Sequence, residues 1–499
     1  MDHYDAVIVG SGFGGAFTAH ALARAGLRTL LVERGGHPRR DADDWSPSKI
    51  LIEQRYRGRS PIQVTQYDRP ESEVHPNEVV GGNSVFYGGA SLRLREADFR
   101  TWPFDCRELE PHYTAAEELL DVHGRAGSDP EEPPRIRDYP REPAELSTPA
   151  QRIYDAAVRL GFRPFPLPMA LNFMDNTRPV CIRCMTCDGF PCKIEAKNDL
   201  AVTVLRSAQR YGLEIRACTV ALRLQRSGGR ISQLECADAD SGQRYTVSAD
   251  RFVVAAGALH TPALLQYSGL SELRGGDWIG RRLMRHCNAV VTGIFRFRTN
   301  PAAVFHKQLC FTEFYEDLRA ELGTATGVIQ DIYTPAAEVL RHHAPPGLRA
   351  AAAALTGFMQ NLLCIAEDEP SPNNRVSLGD KVEPFGVPIT RVHHRYSADD
   401  YRRRDHLIER ARRILKCAGA LITRVYEIDS FSHGVGTVAM ADSPEGGAIN
   451  RDCRLWDVDN LWITDGGCFP TSGGVNPSLT IAANALRVAP AIISGGSRS

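Results

Sequence analysis

Residues 6–33 read AVIVGSGFGGAFTAHALARAGLRTLLVE, and the order of residue types in this stretch decides the fold. Ala6 to Val9 is a short apolar run suited to a parallel strand buried on both faces. It leads into Gly10-Ser11-Gly12-Phe13-Gly14-Gly15, a GxGxxG pattern, and then into small or helix-favouring residues up to Ala25, with Gly26 as the stop. A second apolar run, 29–32, ends in Glu33. Strand, glycine turn, helix, strand and acid together predict a βαβ unit that binds a dinucleotide. Gly10 permits the tight turn, Gly12 lets backbone approach a pyrophosphate, and Gly15 lets helix and strand pack closely. The helix start offers unpaired N–H groups to phosphate. Glu33 suits a ribose diol and disfavours the 2′-phosphate of NADP; the unit alone does not separate FAD from NAD.

The 499 residues (55.0 kDa) leave room for two domains and a large core. Hydrophobic content of 43%, charged content of 24% and a net charge of −1 exert no global pull toward nucleic acid or an anionic membrane. No apolar run approaches the ~18 residues of a spanning helix. Thirteen cysteines spread over a long chain point to reduced thiols and a cytoplasmic setting.

Past Glu33 lies Val79-Val-Gly81-Gly82-Asn83-Ser84-Val-Phe86-Tyr87-Gly88-Gly89, whose two glycine pairs allow close backbone approach, as a flat ring system would need. Residues 125–150, rich in Pro, Glu, Asp and Arg, predict an exposed connection, and 151–160 an amphipathic helix. Cys181, Cys184, Cys187 and Cys192 have spacing compatible with zinc or an iron–sulfur centre, yet four ligands in twelve residues leave little chain to wrap one ion. A structural role with no metal is the expected reading, either one or two local disulfides or reduced thiols packed in a tight loop. Segments 213–220, 230–237 and 244–247 read as a small sheet. They lead to another strand, turn and helix over 250–265, the helix beginning near Pro262. Between 289 and 394, candidate strands at 289–298, 327–333, 361–366, 375–378 and 390–395 predict one antiparallel sheet, with 398–418 a helix over it and 345–354 a loop or lid-like helix.

Near the end stand His433, in SHGVGT, and Asn476, in GGVNPSLT. A lone histidine is more often structural than catalytic. Its meaning depends on what the upstream chain assembles beside it.

Taken together, VIVGSGFGGAF with Glu33, VVGGNSVFYGGAS, VVAAGALHTPALLQYSG, IGRRLMRH, SHGVGT and NLWITDGGCFPTSGGVNPSLT, in this order, resemble the glucose–methanol–choline (GMC) flavoprotein oxidoreductases over nearly the whole chain. The resemblance implies an α/β fold with a Rossmann-like FAD domain and a substrate domain whose antiparallel sheet is covered by helices. The FAD domain would be discontinuous, 1–100, 195–288 and 430–499, and the substrate domain 101–194 and 289–429. It implies FAD contacts from Gly10, Gly12, Phe13, Gly15, Glu33 and Arg34, from Gly82, Asn83, Ser84, Tyr87, Gly88 and Gly89, and from Val220, Ala256 and Gly257. Asp465, Gly466, Asn476 and Pro477 would close around the flavin. Some members attach FAD through a histidine in the glycine-pair loop. This loop offers Phe86 and Tyr87, so non-covalent FAD is expected.

The same resemblance places His433 and Asn476 at the family's catalytic pair. His433 would take the hydroxyl proton of an alcohol and Asn476 would hold its oxygen, while FAD accepts hydride. Relatives with this cysteine-rich loop act largely on sugars and polyols, some on the primary alcohol of an amino sugar during aminoglycoside assembly. That makes a sugar or amino sugar the expected substrate, the primary 6′-alcohol of an aminoglycoside intermediate being one option, with oxygen or another acceptor reoxidising the flavin. Glu313, Glu316, Asp331 and Glu367 are acids that could meet its amines. An FAD-containing lyase and a sterol or long-chain alcohol oxidoreductase are the alternatives.

Overall fold

The computed structural model describes residues 3–66, 70–175, 177–185 and 187–495; Thr186, within the cysteine stretch, lies outside them. The opening βαβ unit forms as the residue pattern requires. Strand His3–Val9 leads to helix Phe13–Arg24 and strand Thr29–Val32, with Gly26 at φ 86° ending the helix. Residues 6–9 and 30–32 are almost wholly buried, as continuous apolar strands in a covered parallel sheet must be.

These strands sit at the centre of a seven-stranded sheet. Its parallel part comprises Glu214–Arg216, Thr29–Val32, His3–Val9, Arg244–Val254 and Leu461–Ile463. The antiparallel strands Thr219–Ser227 and Arg230–Asp238 extend it. The runs expected at 244–247 and 250–254 are one continuous strand: its first half pairs with the small antiparallel unit and its second half with the central strand. Val9 lies opposite both Val32 and Val254, and Ile463 opposite Val254. Four carboxyl ends separated by more than four hundred residues therefore share one sheet edge.

A second sheet has six strands, all antiparallel, in the order Ile422–Glu427, Ala289–Ile294, Met359–Ala366, Gly327–Ile332, Leu309–Phe311 and Phe165–Pro166. Helix Ala398–Cys417 covers it, opened by a Ser397–Asp400 capping box and burying Leu407, Ala411, Ile414 and Leu415 against the sheet. Helix Thr148–Arg159 joins the same apolar cluster through Ile153 and Ala157.

Two expectations need correction, and a third is refined. Strands Arg375–Val382 and Pro388–His394 do not join the six-stranded sheet. They form a separate four-stranded sheet with Ile62–Gln66 and Ser72–Val74, and the contact between 388–394 and 62–66 is parallel. Alternation of side chains reveals a strand but not its partner. Residues 125–147 form the exposed connection expected, exposed or half-buried throughout and without helix or strand, though held in place. Arg135 bonds Glu117 at 2.8 Å and Arg95 bonds Asp129 at 2.6 Å, ion pairs with little solvent access that pin the stretch down. The helix expected near Pro262 spans Gly257–Tyr267, with Pro262 inside it.

Candidate active site

The shared sheet edge gathers the glycine turn, Glu33, Ala256–Gly257 and Asp465. Gly10, at φ 96°, has no room for a side chain: a Cβ there would lie 2.4 Å from the Ala255 carbonyl oxygen. At Gly15 a Cβ would lie 1.9 Å from the Gly10 oxygen. Gly12 is different. Its φ of −69° suits any residue, and a Cβ would meet nothing within 4 Å. Protein packing does not require glycine at 12, and the open space leaves its backbone free for close approach by a ligand. The second glycine loop lies opposite, since a Cβ on Gly82, itself at φ 54°, would lie 3.0 Å from the Gly12 Cα.

Glu33 is buried and ties the turn to the second strand. One carboxylate oxygen accepts from the Ser11 N–H at 3.0 Å and the Ser11 hydroxyl at 2.5 Å, the other from the Gly35 N–H at 2.9 Å. Two lone pairs per oxygen leave one acceptor position on the second oxygen for a ribose hydroxyl. Burial raises its pKa against these bonds. Just beyond, Arg34, Gly35, Tyr56, Arg57, Val220 and Phe385 help line a cavity of about 250 Å³, on the side where the βαβ unit would direct an adenosine. A dinucleotide fits these residues.

Asp465 joins the far strand to the second small-residue turn. It accepts from the Gly257 N–H at 2.9 Å and from the Gly467 N–H at 2.7 Å, and Thr261 donates to it as well. Gly257, at φ 85°, has open space beside it. Pro262 has no N–H for the Ala258 carbonyl, so that oxygen accepts instead from Thr437 Oγ1 at 2.7 Å, and the segment after His433 is fastened to this helix.

Other positions serve the protein itself. The Ser84 hydroxyl donates to the Gly81 carbonyl at 2.6 Å and accepts from the Leu200 N–H at 3.0 Å. The Tyr87 ring meets Phe13 edge-on at 5.6 Å and its hydroxyl donates to the Asn198 carbonyl. Asn83 is exposed. A Cβ on Gly88 would strike Asp188, and Gly89, at φ 86°, packs on Leu171. This second glycine pair receives the cysteine loop. Lys197, buried, donates to the carbonyls of Tyr87, Cys187 and Phe190, and Lys307 pairs with Asp188 at 3.1 Å. None of the thirteen cysteines is in a disulfide. Among the described residues, no three His, Cys, Asp or Glu side chains come together as a metal ion requires.

His433 and the segment before Asn476 are linked by a second histidine that motif reading left unassigned. Met284 and Val435 pair as an antiparallel bridge with bonds of 2.9 and 3.0 Å. Two steps along each strand in opposite senses set His286 across from His433. Their Nδ1 atoms are 2.9 Å apart and the rings are nearly perpendicular. His286 Nε2 faces the Gly473 carbonyl at 2.9 Å, three residues before Asn476. Asn476 Oδ1 accepts from Gln330 Nε2 at 2.7 Å, leaving its Nδ2 hydrogens to donate elsewhere. Among the described residues, Gln330 Oε1 is buried with no hydrogen-bond partner. Burial holds His433 well below the ordinary histidine range; Lys307, and any positive charge on His286, act in the same direction, and Asp368 opposes them.

The four acids suggested for substrate amines are each bonded by neighbouring protein groups. Glu313 accepts from the Arg163 N–H, Glu316 pairs with Arg319, Asp331 accepts from the N–H groups of Gln308 and Leu309, and Glu367 from that of Ala325. His286 and Gln330 were missed because nothing local marks them. His286 closes IGRRLMRH, which hinted at importance without a target.

A glycine turn and a buried acid at the carboxyl edge of a parallel sheet define a dinucleotide-binding protein. The chain belongs to the GMC oxidoreductase family: its N-terminal model matches residues 4–288 and its C-terminal model residues 370–485. Members bind FAD, and so does this chain. It is 29% identical to the 6'''-hydroxyparomomycin C oxidase of Streptomyces lividus, over 98% of this chain and 91% of that protein. The paromamine 6'-oxidase of Streptomyces fradiae is 28% identical with the same coverage. Among solved structures, pyridoxine 4-oxidase from Mesorbium loti superposes with a TM-score of 0.70 at 20% identity, over 97% of this chain and 98% of that one, a likeness of fold.

Proposed function

We propose that this enzyme oxidises a primary alcohol of a sugar or amino sugar to the aldehyde, with His433 as the base. The observation that carries the reading is the linkage of His433 to the Asn476 segment through His286 and the Gly473 carbonyl, beside the cofactor edge. When bound, FAD supplies the two-electron acceptor for the substrate's carbon-bound hydrogen. The residues of the chain do the rest. His433 is neutral at working pH and takes the hydroxyl proton. Asn476 Nδ2 donates to the same oxygen and stabilises the charge that grows on it. Gln330 Oε1, buried and unmatched, suits a hydroxyl or ammonium hydrogen of a polar substrate better than a hydrocarbon chain. The two oxidases named above support an aminoglycoside 6′-alcohol as the specific donor.

In this reading Gly10, Gly12, Gly15 and Glu33 hold the ADP part, Val220 and Arg34 flank the adenosine, and Gly82, Asp465 and Pro477 lie along the flavin half. FAD is held non-covalently, the 84–89 loop offering no histidine. Anaerobic mixing with sugars, amino sugars, sterols and simple alcohols, followed through flavin absorbance, tests the proposal. Bleaching by an amino sugar, slowed about 10²- to 10⁴-fold in His433→Ala with FAD still bound, is expected. Unchanged bleaching in that variant overturns the role of His433. Aldehyde release without bleaching identifies a lyase.

A further inference from the structure

We propose that His286 is a positioning residue that sets the tautomer of His433, keeping the proton on His433 Nδ1 and leaving Nε2 bare to act as the base. The inference rests on His433 being the base, and follows from donor and acceptor accounting. His286 Nε2 faces two carbonyl oxygens, Gly473 at 2.9 Å and Ser472 at 3.3 Å. A carbonyl only accepts, so His286 Nε2 carries a hydrogen. A neutral imidazole has one N–H, which makes His286 Nδ1 an acceptor. The group 2.9 Å away is His433 Nδ1, which must then be the donor. Neutral His433 thus has its lone pair on Nε2.

The His286 ring is 1% exposed, and burial keeps it neutral. Its backbone is held as firmly. His286 adopts φ 62°, a left-handed conformation costly for a side chain with a Cβ. Asp368 maintains it by accepting from the N–H groups of Arg285 at 2.8 Å and His286 at 3.0 Å, while Ser472 Oγ donates to the same carboxylate at 3.0 Å. On the other side, the Tyr396 hydroxyl donates to the His286 carbonyl at 2.7 Å. Burial would raise the Asp368 pKa, but the neighbouring His394, His286 and the Arg285 N–H outweigh it and lower it, so Asp368 stays ionised. The charged and titratable groups acting on His433 are then His286, Lys307 and Asp368. Protonation of His286 would turn both its nitrogens into donors. His433 Nδ1 would have to accept, and its proton would move to Nε2, blocking the base.

The test is the protonation state of both rings in histidine-¹⁵N-labelled holoenzyme, with His433 assigned by loss of its signals in His433→Ala. The expected pattern is His433 protonated at Nδ1 only and His286 at Nε2 only at the pH of activity. His433 protonated at Nε2, or His286 protonated at both nitrogens, overturns the proposal without reference to turnover. Two variants add a kinetic reading. His286→Asn tolerates the left-handed backbone and sets Oδ1 where Nδ1 was, keeping an acceptor for His433. His286→Leu removes it. With FAD retained, Leu is expected to lower kcat about 10- to 100-fold with KM within about threefold, and to shift His433 toward Nε2–H, whereas Asn stays within about threefold of the parent. Equal losses in both variants with the His433 tautomer unchanged would overturn the proposal. If Leu fails to retain FAD, the parent spectrum decides. A bare Nε2 in an enzyme whose His433→Ala variant still bleaches normally would refute the base and not the tautomer.

Discussion

The cofactor edge and the substrate strand Gly327–Ile332 solve opposite problems. At the edge the acids are matched by neighbours in the protein: Glu33 accepts three bonds and Asp465 accepts from two backbone N–H groups and a hydroxyl. Among the described residues, strand Gly327–Ile332 leaves Gln330 Oε1 buried and unmatched on the face that meets Asn476. Buried polar atoms without partners cost stability, on the order of 1–3 kcal/mol each. A protein that binds one invariant cofactor can finish its own hydrogen bonding and present backbone and open space. In the function proposed above, a surface that discriminates among alcohols leaves such a group waiting.

Four substitutions would sharpen or break that contrast. Gly15→Ala on the edge is expected to do most: a Cβ 1.9 Å from the Gly10 oxygen cannot be relieved by a side-chain shift, so the holoenzyme should not accumulate, as FAD content and thermal melting will show. Gly12→Ala, three residues away, should leave the melting temperature of the apoprotein unchanged yet weaken FAD about 10- to 100-fold in a titration, because packing leaves that space open for a ligand. Equal effects at both glycines would dissolve the distinction between packing and ligand clearance. On the substrate side, Gln330→Leu should keep full FAD content and lose about tenfold in kcat/KM for a polyhydroxylated alcohol, far less for a simple one.

The smallest expected effect concerns pH. Burial pushes the Asp331 carboxyl up to about 8, against two backbone N–H bonds that hold it down. Between the ordinary carboxyl range and about 8, the folded chain keeps a proton that the unfolded chain has lost. Stability therefore falls as pH rises through that window, by at most about 1.4 kcal/mol per pH unit from this group. Asp331→Asn should flatten the difference between denaturant midpoints at pH 5 and pH 7.5, with FAD saturating; an unchanged slope would show that Asp331 titrates normally.

Much of the cofactor side was legible because its causes are local. Strand, turn and helix between Ala6 and Glu33 follow from periodicity and glycine placement, and the family resemblance then located Asp465 and Asn476. The substrate side was legible only as a set of strands. That 375–382 and 388–394 leave the large antiparallel sheet for strand 62–66 depends on partners more than three hundred residues away. That Glu313, Glu316, Asp331 and Glu367 are bonded by neighbouring protein groups could not be read from their charge.

By itself the sequence determined the nucleotide-binding unit, the order of motifs and the two polar residues near the end, since each depends on residue types a few positions apart. Only the tertiary structure decided what His433 faces. A bridge between Met284 and Val435 brings His286 to it across 147 residues of chain, and the carbonyls of Ser472 and Gly473 orient that second ring. Tautomers follow from donors and acceptors within 3 Å, and such neighbours exist only after the chain has folded.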